Sequence, residues 1–204
     1  MVVVIDYGMG NLGSIVNTFR RLDTAISITS DPRAIKDADK IILPGVGSFS
    51  KGIENLKKLN LIPVLEECVL EDKVPFLGIC LGMQLLTEKS EEGAVEGLGW
   101  VNAETVRFRP VLQTPHFKIP HMGWNALSAK EGASLLESVT SDDRFYFVHS
   151  YHVSKASDDN VIATTTYGYD FPSVIQKHNI FGIQCHPERS HKSGLKVLKN
   201  FMRL

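Results

Sequence analysis

The chain has 204 residues, 43% of them hydrophobic, with 22 basic and 23 acidic side chains and a formal net charge of −1. This balance argues against nucleic acid or an anionic membrane as the main partner, and the length fits a single domain over residues 1–204. Three cysteines at no metal-ligand spacing predict neither a disulfide framework nor a metal site. The apolar run from Val2 meets Asp6 too early for a signal or membrane segment, so we expect a cytoplasmic protein.

The first 90 or so residues alternate between predicted strands and predicted helices. Short apolar runs predict buried strands at residues 2–6, 25–29, 40–43 and 74–79. Helical spacing predicts helices at residues 12–22, 49–58 and 63–71. This order implies right-handed crossovers and an α/β fold, with a three-layer, open, mostly parallel sheet.

The second half is predicted to be rich in strands. The strand-like segments are residues 100–108, 121–125, 145–148, 161–167, 173–177 and 180–184. The turn at His178-Asn179 predicts a hairpin between the last two, and a helix is expected at residues 192–202. We therefore expect added antiparallel strands, with the final helix packed against the sheet.

The N-terminal segment Gly8-Met9-Gly10-Asn11-Leu12-Gly13 fits the G-x-G-x-x-G pattern between a strand and a helix. Asp31 follows at the end of the next predicted strand, as in a dinucleotide-binding fingerprint. An NAD-binding oxidoreductase is therefore one hypothesis. The alternative is a tight turn that needs glycine for steric reasons alone.

The segment Gly78-Ile79-Cys80-Leu81-Gly82 follows an apolar strand and precedes helix-forming residues. Glycines two residues to either side of Cys80 remove the Cβ atoms that would clash in a sharp strand-to-helix turn, as in a nucleophile elbow. At a helix N-terminus, partial positive charge would favour the thiolate form of Cys80. The alternative is a small buried cysteine beside two packing glycines.

A base for Cys80 is present at His186-Pro187-Glu188, directly after the apolar segment 181–185. In an extended segment His186 and Glu188 face the same way, so Glu188 can accept a hydrogen bond from the imidazole and orient it. The alternative is a solvated loop. An oxyanion hole is predicted from the backbone N–H of Leu81 and from the Pro44-Gly45-Val46-Gly47 turn, although that turn is also typical of an ordinary strand end.

The remaining histidines and cysteines are expected to have no catalytic role. His116 and His121 lie near prolines and are predicted in loops or at the surface, whereas His149 and His152 are placed to line the cleft. Cys68 and Cys185 are interpreted as small core residues.

The segments 44–47, 78–84 and 182–188 together resemble the three signatures of the class I (triad) glutamine amidotransferases, in the same order. Within that class, residues 6–12, 120–125 and 145–151 are similar to the glutaminase subunits of imidazole glycerol phosphate synthases, which act in histidine biosynthesis. The resemblance covers nearly the full length. Two positions depart from it: Cys185 replaces an aromatic residue, and Arg189 replaces a common lysine. The alternatives are a glutaminase subunit of another class I amidotransferase and a regulatory or binding module whose triad is vestigial.

The resemblance implies that Cys80 attacks the side-chain amide of glutamine, that His186 moves the protons and that Glu188 orients His186. It further implies oxyanion donors at Leu81 and Gly47, next to Gly45. Glutamine would be held by Gln84 and by the backbone of Ser150 and Tyr151.

The resemblance also implies a heterodimer without a cofactor. Ammonia would pass to a cyclase subunit of (β/α)₈ fold, which uses it on a phosphoribosyl substrate. The N-terminal glycine motif would then belong to a loop near the interface instead of a nucleotide site. Interface positions implied in this way are Asn11, Trp124, Tyr146 and Arg189.

Overall fold

The structure is a computed structural model that describes residues 1–109 and 117–204. Helices in these ranges are α1 (Leu12–Arg21), α2 (Pro32–Lys36), α3 (Phe49–Lys58), α4 (Ile62–Glu66), α5 (Leu81–Gln84) and α6 (His191–Arg203). A π-helical turn (Glu67–Glu71) continues α4, and 3-10 turns cover Ser134–Leu136, Asp158–Asn160 and Pro187–Arg189. None of the helices in this part of the chain has the length and apolar content needed to cross a bilayer.

The strands of the same ranges form three sheets. They are β1 (Val2–Ile5), β2 (Ile26–Thr29), β3 (Lys40–Gly45), β4 (Phe76–Cys80), β5 (Lys89–Ser90), β6 (Val95–Glu96), β7 (Glu104–Arg107), β8 (His121–Asn125), β9 (Ser128–Ala129), β10 (Phe145–His149), β11 (Tyr151–Ser154), β12 (Val161–Tyr167), β13 (Tyr169–Lys177) and β14 (Ile180–Ile183). The largest sheet has the order β2-β1-β3-β4-β14-β13-β12-β9.

This eight-stranded sheet confirms the predicted α/β class. Strands β2, β1, β3, β4 and β14 are parallel, whereas β13, β12 and β9 extend the sheet in antiparallel fashion. Strand β4 lies between β3 and β14, which pair with it in parallel register. Because the carboxyl ends of parallel strands meet at one edge, the segments after β3, β4 and β14 converge there.

Apolar side chains cover both faces of the sheet. Helices pack on each face, so that the sheet is the middle of three layers. On β1, Val3 and Ile5 belong to the core beneath α3 and α4, whereas Val2 and Val4 belong to the core beneath α1 and α6. Burying an aliphatic side chain of this size contributes about 1.5–3 kcal/mol. The predicted three-layer arrangement is thus explained by strands that are apolar on both sides.

Two predicted elements differ from the structure, and two short strands were not predicted. Residues 100–108 contain only the short strand β7, which belongs to a separate sheet of order β11-β7-β5-β6. Strands β5 and β6 have two residues each, too few to show a periodic pattern. The helix predicted at 63–71 is α4 followed by a π-helical turn.

Candidate active site

Cys80 is the last residue of β4 and has φ 54° and ψ −107°, a conformation that is strained for any residue with a Cβ atom. Both flanking glycines are required by close backbone contacts. A Cβ on Gly78 would lie 2.5 Å from the Gly82 carbonyl oxygen, and one on Gly82 would lie 1.9 Å from the Leu43 carbonyl oxygen. The segment therefore has the geometry of a nucleophile elbow.

The helix that follows Cys80 is shorter than predicted. Helix α5 has four residues and is followed by a turn at Leu85 and Leu86. A helix terminus carries its partial charge because many peptide dipoles align, so one turn provides only a small part of the effect. Positive charge near the thiol must come mainly from a side chain.

Cys80 opens into a pocket of about 350 Å³, a size suited to a small molecule. Among the described residues, its lining comprises Val46, Gly47, Cys80, Leu81, Gln84, Glu92, Pro120, Val148, His149, Ser150, Tyr151 and His186. Several segments distant in sequence therefore contribute to one cleft at the carboxyl edge of the sheet.

His186 lies just beyond β14 and reaches the same pocket. Its Nδ1 is 2.8 Å from Oε1 of Glu188, and both side chains are 3% exposed. Glu188 lies in the 3-10 turn Pro187–Arg189, so the expected extended geometry between the two residues is wrong, although their side chains meet. The turn is supported by close packing, since a Cβ on Gly194 would lie 1.8 Å from the Pro187 carbonyl oxygen.

The protonation state of His186 is set by its two acidic neighbours. Burial opposes charge on the imidazole, but Cys80 and Glu188 overcome this effect and raise the pKa of His186 to about 10. Because Nδ1 donates to Glu188, the other ring nitrogen is directed to the reaction. Nε2 has no hydrogen-bond partner among residues 1–109 and 117–204. The side chain is thus arranged to carry a proton toward a reacting group.

The backbone of His186 is held by β10 and by Ser190. Its N–H donates to the Tyr146 carbonyl at 2.8 Å, and its carbonyl accepts from the Ser190 hydroxyl at 2.6 Å. The same hydroxyl accepts from the Tyr146 N–H at 2.9 Å. These bonds link the imidazole position to β10.

The proposed oxyanion loop begins where β3 ends. Gly45 pairs with Cys80 in the sheet, and a Cβ on Gly45 would lie 2.6 Å from Cβ of Leu81. Gly47 has φ +110° and packs against Met9, whose Cε would be 2.8 Å from an added Cβ. Gly45, Gly47 and Leu81 therefore surround the elbow closely.

The N-terminal glycine motif packs on this loop. Gly8 has φ +78°, and a Cβ on Gly10 would lie 3.1 Å from the Pro44 ring. Asn11 caps α1 by accepting from the Ser14 N–H at 3.2 Å. Chain reversal thus accounts for Gly8 and close packing for Gly10, whereas Gly13 has no close neighbour.

The predicted glutamine-binding residues Gln84, Ser150 and Tyr151 form a wall of the same pocket. Gln84 is buried, and its amide nitrogen donates to the Tyr151 carbonyl at 2.9 Å. The Ser150 carbonyl accepts from the Phe108 N–H at 3.0 Å. These bonds hold the wall rigidly beside Cys80.

His121 was predicted in a loop or at the surface, and this is wrong: it lies in strand β8 and its side chain is only 3% exposed. Its Nδ1 is 3.0 Å from Nε2 of His149, and burial lowers its pKa to about 4. His149 lines the pocket, whereas His152 bonds the Tyr169 hydroxyl at 2.9 Å. His116 lies outside the described residues.

Three further residues near Cys80 were absent from the sequence prediction. Glu92 lines the pocket but lies in an acidic stretch with no distinctive pattern. Gln184 follows an apolar strand, and a polar residue in such a buried position is a signal that could have been used. Tyr7 is buried, and its hydroxyl would lie 2.8 Å from a Cβ on Gly45.

Three of the four predicted interface residues form one exposed cluster. The Arg189 guanidinium lies 4.4 Å from the ring centre of Tyr146, and Trp124 packs edge-on against the same ring at 5.8 Å. Trp124 also stacks on His191 at 5.2 Å and is 49% exposed. Aromatic and arginine side chains in such an arrangement are typical of protein interfaces.

Residues 3–204 match the family model described as glutamine amidotransferase class-I, and the chain belongs to this family. A solved glutamine amidotransferase has the same fold, with a TM-score of 0.77 at 15% identity and coverage of 100% and 98% of the two chains. The solved structure of PurLQS from Thermotoga maritima contains a chain with a TM-score of 0.73 at 17% identity, covering 99% of this chain and 97% of the other.

Among curated relatives, imidazole glycerol phosphate synthase subunit HisH 2 of Methanococcus maripaludis is 49% identical, covering 100% of this chain and 99% of the relative. Subunit HisH 1 of Campylobacter jejuni strain RM1221 is 46% identical, with full coverage of both chains. Within the class, the chain is of the HisH type.

Proposed function

We propose that the chain is the glutaminase subunit of an imidazole glycerol phosphate synthase and hydrolyses glutamine to glutamate and ammonia as a single domain. The observation that carries this proposal is the meeting of Cys80 with the His186–Glu188 pair in one pocket. Membership of the class I family and similarity to HisH subunits support the same function.

The first half of the reaction forms a thioester. The thiolate of Cys80 attacks the side-chain carbonyl carbon of glutamine, and backbone donors near Gly47 and Leu81 stabilise the oxyanion that develops. Nε2 of His186 then protonates the departing nitrogen, so that the C–N bond breaks and ammonia leaves. Glu188 stabilises the imidazolium and holds the tautomer with Nε2 free.

The second half of the reaction releases glutamate. His186, now neutral, takes a proton from water at Nε2, and the hydroxide attacks the thioester carbonyl. The C–S bond breaks, which restores the thiolate and the imidazolium. The γ-carboxylic acid loses its proton on release, so the net reaction consumes one glutamine and one water and yields glutamate, ammonia and one proton.

Glu92 is suited to recognise the α-ammonium group of glutamine. Its carboxylate lines the pocket and also accepts from the Phe49 N–H at 2.7 Å, which fixes it at the start of α3. Glu188, by contrast, is engaged with His186. A charge-assisted bond to the substrate would therefore depend on Glu92.

We expect Glu92→Gln to raise the KM for glutamine at least about tenfold, because a hydrogen bond to a charged group contributes roughly 1.5–3 kcal/mol. The kcat should change much less, since Glu92 does not take part in bond breaking. The neutral amide keeps an acceptor oxygen for the Phe49 N–H, so the helix cap is retained. Steady-state glutamate release measures both constants, with Glu96→Gln on exposed β6 as the matched control. A KM within twofold of the unmodified protein's would contradict this role.

The same proposal includes a partner and a compartment. The cluster of Trp124, Tyr146 and Arg189 is proposed to contact a cyclase subunit of (β/α)₈ fold that receives the ammonia. Asn11 is proposed to lie at the same interface. A cytoplasmic location is supported by three free cysteines, all buried.

The function is tested by measuring glutamate release with and without the partner cyclase and its phosphoribosyl substrate. We expect slow turnover of glutamine alone and at least about tenfold faster turnover in the complete mixture, the range of an ordinary coupling free energy. Asparagine is the control substrate. Its side chain has one methylene group fewer than that of glutamine, so its amide does not reach the thiol when the α-carbon groups are bound in the same place. Absence of glutamate release in every mixture would disprove the function.

A further inference from the structure

Gln184 is a fully buried polar residue that the glutaminase mechanism does not use. It follows β14 and precedes Cys185 and His186, and its backbone N–H donates to the Ser173 carbonyl at 2.8 Å. A buried carboxamide is costly unless its side-chain donor and acceptor both have partners. Gln184 has both: its side chain bonds Gln84 and Sγ of Cys80, which explains why it is tolerated in the core.

The orientation of the Gln184 amide follows from a carbonyl that can only accept. The Tyr151 carbonyl requires Gln84 to present its nitrogen, at 2.9 Å. The same nitrogen lies 3.1 Å from the Gln184 side chain, which must therefore present its oxygen. The amide nitrogen of Gln184 then points to Sγ of Cys80, at 3.6 Å.

Neutral histidines extend this arrangement beyond Tyr151. The Tyr151 carbonyl also requires a proton on Nδ1 of His149, at 2.7 Å, so Nε2 of His149 accepts from Nδ1 of His121. Burial lowers the pKa of both imidazoles, that of His121 to about 4. The bonds between these histidines thus keep one direction across neutral pH, while the orientation of the Gln184 amide follows from the Tyr151 carbonyl through Gln84.

The other titratable groups near Cys80 leave a specific role for this amide. Burial raises the pKa of the Tyr7 hydroxyl and of the Cys185 thiol, with further increases from Cys80 on Tyr7 and from Glu188 and Cys80 on Cys185, so neither carries charge at neutral pH. Glu92 and Glu188 are acceptors, held by the Phe49 N–H and by His186, and the cationic His186 must give up its proton during the reaction. Gln184 keeps its N–H throughout.

We propose that Gln184 is a catalytic hydrogen-bond donor to Cys80, which stabilises the thiolate and holds Sγ in the orientation for attack. The role rests on the proposed glutaminase function. A hydrogen bond to a thiolate is charge-assisted, and because Gln184 is fully buried, water does not compete for its donor. Loss of the donor should therefore reduce the reactivity of the thiol.

The test is the pH dependence of Cys80 alkylation by iodoacetamide, followed by mass spectrometry of the Cys80 peptide. In Gln184→Met, which keeps the length of the side chain but has no N–H, we expect the midpoint of the profile to move up by about one pH unit. The kcat for glutamine should fall about tenfold while KM stays within twofold. Gln176→Met is the matched control, because Gln176 lies on β13 and its side chain bonds only the His178 carbonyl among the described residues.

A second variant, Gln184→Glu, keeps the test valid if Gln184→Met does not fold. Gln184→Glu is nearly isosteric and keeps an acceptor for Gln84, but it presents oxygen to the thiol, so its midpoint should move up further. If neither profile moves, the proposal is wrong. If the profiles move but the unmodified protein releases no glutamate from glutamine, the glutaminase function fails and the hydrogen bond stands.

Discussion

Replacing Cys80 with alanine is expected to reduce glutamine-dependent synthesis by at least about 10⁴-fold, because loss of a nucleophile removes the covalent route entirely. Ammonia-dependent synthesis by the same complex should remain within about twofold. The reason is that the thiol takes part only in producing ammonia, and the substitution removes one buried sulfur atom without adding volume. The measurement compares glutamine and ammonium salts as nitrogen donors, with the partner cyclase and its phosphoribosyl substrate present.

Cys68→Ala is the matched control for this experiment. Cys68 is also buried and free, but it belongs to the opposite core and contacts the Ile35 carbonyl at 3.8 Å. We expect both nitrogen donors to support normal synthesis in this variant. Equal loss of both activities in Cys80→Ala would refute the proposed division of labour between the two proteins.

Replacing Gly82 with alanine is expected to destabilise the protein by more than about 4 kcal/mol, the range reached when a packed core cannot relax. The new Cβ would lie 1.9 Å from the Leu43 carbonyl oxygen, an atom of the central strand β3. Either β3 or the elbow must move, and both belong to the buried sheet. Urea denaturation measures the change, and loss of soluble protein is the extreme outcome.

Gly13→Ala is the matched control, and it is expected to stabilise the protein in the same urea denaturation measurement. Gly13 lies in the first turn of α1, and the nearest atom to an added Cβ is 4.0 Å away. Because alanine favours the helix over glycine, we expect a gain of about 0.5–1 kcal/mol. A Gly82→Ala protein within about 1 kcal/mol of the unmodified protein would show that the elbow does not need its glycine.

Much of the fold was predictable because the main strands are apolar on both faces. The bounds predicted for α3 and β12 are those of the structure, and the hairpin at His178-Asn179 is present. Elements that are very short or irregular were either not predicted or predicted with the wrong length. Strands β5 and β6 and the single turn of α5 contain too few residues for a period to appear.

His121 illustrates a different limit of sequence reasoning. His121 follows Pro120 and was therefore expected in a loop or at the surface, but the aromatic rings of Phe147 and Tyr167 stack on it, with ring centres 4.7 and 4.0 Å away. These rings come from β10 and β12, so its burial depends on strands that are distant in the sequence. No local pattern contains that information.

The elbow at Cys80 could be recognised from the sequence because its requirement is local: glycines two residues away on each side of a strained residue. The imidazole and its carboxylate could likewise be paired, since they are two residues apart. The reason why Gly82 must be glycine, however, is an oxygen on β3. The direction of the Gln184 amide depends on a carbonyl of β11, reached through Gln84. Such contacts join segments that meet only when the sheet forms, so their donors, acceptors and distances become defined only in the folded chain.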